Sequence, residues 1–225
     1  MVEQRTHNPL VAGSNPAGPT TKDFKLINPG GTMKELQDKI LKYGKLEDGT
    51  ILKVDSFLNH QVDTQLVNKM ADEWVSKIKS KNVNKILTIE SSGIALAYPV
   101  AHKLQVPLVI ARKHEHVNIY GDYYSAKIIS YTHFREYDVV VSKKFLNKTD
   151  RIYVVDDFLA NGCALKGLLS IIKQSGAYVV GIGIAIEKAM QPGGTEIRNA
   201  GFVIDSLARI KEFDKQLNKP VFIDE

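Results

Sequence analysis

Cysteine and tryptophan are almost absent from this chain. Its 225 residues contain one tryptophan and one cysteine, Cys163. A single cysteine excludes an intramolecular disulfide and fits a reducing compartment. No apolar run approaches the roughly 18 residues that a membrane helix needs, and no basic start followed by an apolar run marks a secretory signal. We therefore expect a cytoplasmic protein without a membrane segment.

A strong excess of one charge is also missing. The net charge is +5, from 30 basic and 25 acidic residues, and no block of Lys and Arg occurs. This mild excess is weak evidence for a nucleic-acid partner, because a small phosphorylated substrate explains it equally well. The six histidines show no metal-ligand spacing, so we predict no metal site built from protein ligands alone.

The first 32 residues differ in composition from the rest. They are rich in Pro, Gly, Asn, Thr and Ser without periodicity, which predicts a disordered or non-native N-terminal extension. A natural flexible tail and a misassigned start upstream of Met33 are both open. The whole chain is 44% hydrophobic, which is ordinary for a globular protein. We predict that residues 33–225 form one domain.

Apolar strand-like runs alternate with amphipathic helical runs from Met33 onward. Leu66, Met70, Trp74 and Ile78 recur every fourth residue, as on one face of a helix. The runs "NKILTIE", "PLVIARK", "IYVVDD" and "YVVGIGIAIE" read as strands. This alternation predicts an α/β fold, a single doubly wound and mostly parallel sheet with flanking helices. Residues 113–144 break the pattern and predict two antiparallel strands that form a flap.

The run "VVDDFLANGCA" carries the clearest chemical signal. Asp156 and Asp157 follow an apolar strand and precede a small-residue loop with Gly162. A lone acid there is usually a helix cap. Two acids can instead accept hydrogen bonds from adjacent sugar hydroxyls, while the loop and helix start present backbone N–H groups to a phosphate. The combination suits a ribose 5-phosphate.

Three further runs place polar groups after predicted strands. "TIESSGIA" reads as a strand, a tight turn and a helix start, for which a helix cap is the ordinary explanation. "ARKHE" puts Arg112 and Lys113 near the carboxyl end of a strand, although such pairs are usually just solvated. Lys188 ends an apolar strand, where it can reach solvent along its own stem. Ligands of parallel α/β sheets bind at this edge.

Together these runs resemble the type I phosphoribosyltransferases. The two acids and the loop are similar to the family's motif for 5-phosphoribosyl 1-diphosphate, with Asn161 where the family usually has threonine. "ILKVDSFLNHQVD", "VSKKFL", "GIGIAIEK" and "SLARI" are similar to the purine-salvage members that act on xanthine. The resemblance covers nearly all of the chain from Met33.

The resemblance implies a role for each motif. It implies that Asp156 and Asp157 are catalytic and that xanthine is bound by Leu52, Asn59 and Lys188. The groups implied at the diphosphate substrate are Glu90, Ser91, Ser92, Gly93, Arg112, Lys113, Ala160, Asn161, Gly162, Cys163 and Ala164. It also implies a homodimer, in which Arg112 and Lys113 act across the subunit boundary, and Mg²⁺ bound together with the diphosphate. Neither nucleic acid nor a membrane is an expected partner.

Two alternatives remain open at this point. The first is transfer of the phosphoribosyl group to guanine, hypoxanthine or adenine instead of xanthine. The second is a transcription regulator that senses the diphosphate. We expect this second alternative to be the weaker, because the roughly 50 residues before "ILKVD" offer one short helix, too little for a winged helix.

Overall fold

The amphipathic run around Trp74 forms a helix whose apolar face is completely buried. In the computed structural model, which describes residues 32–114, 122–130 and 135–223, Leu66, Met70, Trp74 and Ile78 are at most 1% exposed. The Asp63 carboxylate starts this helix by accepting the N–H groups of two first-turn residues, each at 3.1 Å. Periodicity and capping therefore agree on where the helix lies and which face it buries.

The described chain alternates helices and strands from Lys34 onward. The helices are α1 (Lys34–Tyr43), α2 (Thr64–Ile78), α3 (Gly93–Leu104), α4 (Cys163–Ser175) and α5 (Pro192–Asn199), with a short helical turn at Asp55–Asn59. The strands are β1 (Lys45–Glu47), β2 (Ile51–Lys53), β3 (Lys85–Ile89), β4 (Leu108–His114), β5 (Tyr123–Ser130), β6 (Arg135–Ser142), β7 (Arg151–Leu159), β8 (Tyr178–Lys188), β9 (Ile204–Asp214) and β10 (Lys219–Phe222).

Eight strands form one sheet in the order β10-β9-β8-β7-β3-β4-β6-β5. The central strands β9, β8, β7, β3 and β4 are parallel, whereas β10 at one edge and β6 and β5 at the other are antiparallel. Strands β1 and β2 form a separate hairpin. Because the central strands run in one direction, the loops that follow them gather at one edge of the sheet.

Helices cover both faces of this sheet. Residues of α1, α2 and α3 pack with Tyr153 and Val155 of β7 in one apolar cluster. Residues of α4 and α5 pack with Ile152 and Val154 of the same strand in a second cluster. Successive side chains of a strand point to opposite faces, so the apolar residues 152–155 of β7 supply both cores.

The predicted fold class is confirmed, with two differences of detail. Strand β7 continues through the two acids to Leu159, because β8 keeps pairing with it beyond the point where β3 stops at Val154. The predicted antiparallel strands β5 and β6 extend the sheet through pairing of β6 with β4. Residues 115–121 and 131–134 of this excursion lie outside the described residues, as does the predicted extension apart from residue 32.

Among the described residues, no helix combines the length and apolar character needed to cross a membrane.

We propose that residues 1–32 are dispensable for folding. Met33 is buried, and its N–H donates to the carbonyl of Leu207 at 2.7 Å. A chain that starts at Met33 is expected to unfold within about 2 °C of the full chain. A chain that starts at Gly44 also loses the buried side chains Leu36 and Ile40, worth roughly 1.5–3 kcal/mol each. It should unfold about 10 °C lower. Thermal unfolding of the three proteins checks this, and a loss in the Met33 chain would refute it.

Candidate active site

The two acids are neighbours on β7, where Asp156 is buried and Asp157 is half-buried. Asp156 is only 4% exposed, and its Oδ1 accepts the N–H of Asp157 at 3.0 Å. Burial, and then the neighbouring charge of Asp157, raise the pKa of Asp156 well above its usual 3.8, while Lys113 opposes the shift. Burying Asp156 therefore lowers the stability of the fold, whereas two solvated acids would cause no such loss.

The turn between β3 and α3 presses directly on this acid. A Cβ added at Gly93, the first residue of α3, would lie 3.0 Å from Asp156 Oδ1 and would clash with Thr88 Oγ1. Only glycine lets the backbone come this close. The structure thus joins the turn at residues 90–93 to the acid pair, as expected for two neighbouring strands that end at one edge.

The basic pair of β4 is split between the two faces of the sheet. Glu90 accepts from Arg112 Nη1 and from the Lys113 backbone N–H, each at 2.6 Å. These donors are the causes that lower the pKa of Glu90, against the opposing effect of burial. The Lys113 side chain lies on the opposite face of the strand, and its charge opposes the rise in the pKa of Asp156. Arg112 and Lys113 both contact groups of their own chain, and their action across a subunit boundary stays a prediction.

The small-residue loop after β7 is backed by α5. Gly162 starts α4 in a left-handed conformation (φ 77°), which favours glycine. The N–H of Gly193 donates to the carbonyl of Ala160 at 3.1 Å, and a Cβ at Gly193 would lie 2.5 Å from Gly162 N and 2.6 Å from the Asn161 carbonyl carbon. Residues 160–164, including Cys163 and Ala164 at the first turn of α4, therefore have a fixed backbone course.

A buried carboxylate holds α5 on the sheet. Glu187, on β8, is 1% exposed and accepts two hydrogen bonds from Arg198 of α5, at 2.6 and 2.7 Å. Ser206 donates to it at 2.5 Å, and Arg209 Nε lies 3.3 Å away. These partners outweigh burial and lower the pKa of Glu187.

Of the residues implied at the base, Lys188 at the end of β8 contacts the hairpin that carries Leu52. Lys188 Nζ donates to the carbonyl of Thr50 at 3.2 Å and lies 5.7 Å from the centroid of the Phe213 ring. Burial lowers the pKa of Lys188. Leu52 follows on strand β2 and is buried, while Asn59 ends the short helical turn with an exposed side chain. Among the described residues, no hydrogen bond joins Asn59 to Lys188.

Sequence reasoning missed several contributors to this site. Gly193 was missed although the run "QPGG" signals a turn with close backbone approach. Glu187 was passed over in favour of its neighbour Lys188. The Thr50 carbonyl carries no side-chain signal at all, so only the folded hairpin could reveal it.

The arrangement suits a substrate with both sugar and phosphate groups. The acids can accept from hydroxyls, the N–H groups at the start of α4 can donate to a phosphate, and Lys113 adds positive charge. Among the described residues, no cluster of three His, Cys, Asp or Glu side chains forms a protein-only metal site. A hydrated Mg²⁺ that shares substrate phosphates needs only one or two carboxylates, and the adjacent acids fit that requirement.

This geometry is that of a phosphoribosyl-transferring enzyme, and the chain belongs to the phosphoribosyltransferase family. The family's phosphoribosyl transferase domain matches residues 53–203, which include both acids, the 160–164 loop and Lys188.

Curated relatives named as xanthine phosphoribosyltransferases are similar over most of the chain. A xanthine phosphoribosyltransferase of Lachnoclostridium phytofermentans is 48% identical over 190 residues, which cover 84% of this chain and 98% of the relative. Xanthine phosphoribosyltransferase 2 of Clostridium botulinum (strain Langeland) is 49% identical over 183 residues, covering 81% of this chain and 96% of the relative.

Solved structures support the fold alone, because their identity is low. Adenine phosphoribosyltransferase from Leishmania donovani superposes with a TM-score of 0.66 at 16% identity, covering 86% of this chain and 89% of that one. The Giardia lamblia enzyme complexed with 9-deazaadenine gives 0.64 at 20% identity, covering 74% and 93%.

Replacing Gly193 by alanine tests whether α5 sets the course of the 160–164 loop. The new methyl group meets backbone atoms on three sides, so loop and helix must separate. A misplacement of about 1 Å in an active site can lower the reaction rate up to 10²-fold. Phosphate binding depends on the same loop geometry, so we expect ribose 5-phosphate to bind at least tenfold more weakly by calorimetry. Thr195→Ala, at an exposed position of the same helix, is the control and should bind normally. Equal affinities in both variants would refute the role of Gly193.

Proposed function

We propose that this protein transfers the 5-phosphoribosyl group from 5-phosphoribosyl 1-diphosphate to xanthine, giving xanthosine 5′-monophosphate and pyrophosphate. The observation that carries the proposal is the convergence of the buried acid pair, the glycine-fixed 160–164 loop and Lys113 at one edge of the sheet. The names of relatives that are 48–49% identical over nearly their whole length support xanthine as the base.

Catalysis in this site is mainly positioning and charge stabilisation. The 160–164 loop holds the 5′-phosphate through backbone N–H groups. Asp156 and Asp157 accept from the ribose hydroxyls and face the positive charge that develops on the ring as the bond to pyrophosphate breaks. Nitrogen N9 of the base then bonds to C1′. The turn at residues 90–93 and Lys113 bind the departing pyrophosphate.

The base is selected by hydrogen bonding at two positions. Lys188 can only donate, so it favours an oxo group at C6 and disfavours adenine. Asn59 can donate to the 2-oxo group of xanthine through its amide nitrogen. Because that amide can also accept, some guanine activity is expected, and a guanine or hypoxanthine enzyme is the second candidate.

Mg²⁺ belongs to the proposal as an ion that enters with the diphosphate. It would be held by substrate oxygens and by the carboxylates of Asp156 and Asp157, and it would neutralise charge on the leaving group.

We further propose a homodimer and a cytoplasmic location. The resemblance and the exposed side chains of Tyr98 and Phe145, 62% and 58% exposed, support the dimer, and the single cysteine supports a reducing compartment.

The direct test is to incubate the protein with 5-phosphoribosyl 1-diphosphate, Mg²⁺ and each of xanthine, guanine, hypoxanthine and adenine, and to follow pyrophosphate release. We expect the highest kcat/KM with xanthine and the lowest with adenine. Release that is equal with all four bases, or absent with all four, would refute the proposal.

Asp156→Asn is expected to stabilise the fold while it slows turnover. The pKa of Asp156 is raised in the folded state, so stability falls as the pH rises above the ordinary pKa of the carboxyl group, and the full loss is reached once the pH exceeds the folded-state pKa. At pH 7.5 the amide removes this cost and still accepts the Asp157 N–H, so the melting temperature should rise. Turnover should fall about 10²–10³-fold, since a charge facing the transition state is lost.

The matched control for this change is Asp150→Asn. Asp150 is also buried, but it forms an ion pair with Lys85 at 2.8 Å. Its loss should lower the melting temperature and leave the turnover of the folded enzyme unchanged. If Asp156→Asn instead melts lower and turns over normally, the assignment of that acid is wrong.

Asn59→Asp is expected to shift base choice towards guanine. A carboxylate can only accept, so it repels the 2-oxo group of xanthine and favours the 2-amine of guanine. Such a mismatch is worth about 1–3 kcal/mol, so the xanthine-to-guanine ratio of kcat/KM should drop at least about tenfold. Asn199→Asp, at the exposed end of α5, is the control. An unchanged ratio would show that Asn59 does not read the base.

A further inference from the structure

One tyrosine of β6 lies on the same face of the sheet as the acid site. Strand alternation places Lys113 on the face of Val109 and Ala111, which belong to the cluster under α4. On β6, Lys113 lies opposite Val139 of the same cluster, and Tyr137 is two residues away on the same face. Tyr137 therefore stands beside Lys113, facing α4 and the 160–164 loop.

The ring of Tyr137 contacts the ammonium of Lys113. Nζ lies 5.3 Å from the ring centroid, within the range in which the negative face of an aromatic ring attracts a cation. Burial, and then the charges of Asp156 and Cys163, raise the pKa of the half-buried Tyr137 hydroxyl. Tyr137 thus contacts Lys113 and packs against the cluster that also includes Cys163 and Ala164 of the 160–164 loop.

The exposed side chain of Lys113 needs such a contact to keep its ammonium at one position. Its ammonium is a point charge on a flexible four-carbon stem, and ordering that stem opposes each contact it makes with a ligand. We propose that Tyr137 is a positioning residue whose ring holds the Lys113 ammonium on the face of the sheet that carries Asp156, ready for the phosphate groups of the diphosphate substrate. This inference rests on the proposed function and adds a residue that acts through Lys113.

The competing role for Tyr137 is packing alone, since its ring also touches the apolar cluster under α4. The two roles differ in what they require. Packing needs bulk and is indifferent to Lys113. Positioning needs an aromatic ring, does not need the hydroxyl, and has no value once the ammonium is gone.

The chain offers a matched control at the same edge of the sheet. Tyr124 of β5 pairs with Val141 of β6 and packs against the same cluster. Its ring lies 5.8 Å from Nζ of Lys143, a contact of the same kind. Neither Tyr124 nor Lys143 has a place in the proposed site, so Tyr124→Leu reports on the loss of a ring from this sheet edge by itself.

The experiment measures KM for each substrate, and calorimetric affinity for inorganic pyrophosphate, in Tyr137→Leu, Tyr137→Phe and Tyr124→Leu. We expect Tyr137→Leu to raise KM for the diphosphate about three- to tenfold and to weaken pyrophosphate binding by a similar factor, as the strength of such contacts suggests. KM for xanthine should stay within twofold. Tyr137→Phe and Tyr124→Leu should both match the wild type within twofold.

The decisive arm repeats Tyr137→Leu in a Lys113→Met background. If the tyrosine acts through the lysine, the second change has no further effect on diphosphate KM or pyrophosphate affinity. An equal effect in both backgrounds, or a Tyr137→Phe variant as impaired as Tyr137→Leu, would overturn the inference. If Tyr137→Leu does not fold, Tyr137→Met fills the gap with a flexible apolar side chain.

A failure of the proposed function would look different. In that case the wild-type protein itself would release no pyrophosphate. A failure of this inference would leave an active wild type whose Tyr137 and Lys113 variants affect diphosphate binding independently of one another.

Discussion

The buried charge of Glu187 is the constraint on which the site depends. A carboxylate that is 1% exposed must be paired, since an unpaired buried charge is far more costly than any single contact. Arg198 provides that pairing from α5, and Ser206 and Arg209 provide it from β9. The same ion pair seats α5 on the sheet, and α5 in turn backs the 160–164 loop through Gly193. Glu187 thereby fixes the 160–164 loop indirectly, through α5 and Gly193.

The elements near the middle of the sheet were predictable because their sequence signals are local and redundant. Helix α2 shows four apolar residues at helical spacing, and β7 is apolar on both faces because helices cover both. Elements β1, β2, α5, β9 and β10 were not predicted. The short hairpin strands are only three residues long and half exposed, and they gain their stability from tertiary contacts such as the Asn218 side chain on the Leu46 carbonyl.

The candidate site was predictable as residue types at strand ends but not as contacts. Asp156, Asp157, Gly93 and Lys113 converge because parallel strands end together. The split of Arg112 from Lys113 follows from strand alternation, yet it becomes visible only when both residues are known to lie inside β4. Long-range partners such as Thr50 for Lys188, 138 residues apart, leave no trace in the sequence pattern.

In the proposed base site, the ammonium of Lys188 already donates to the carbonyl of Thr50. An arriving purine must compete with that carbonyl for a partly desolvated ammonium. A base with an oxo group in reach replaces one acceptor by another at little net change, whereas a base without it would leave the ammonium and the carbonyl apart and both unsatisfied. How strongly such a base is rejected then depends on the strength of the hydrogen bond between Lys188 and the hairpin carbonyl, which every incoming base has to replace.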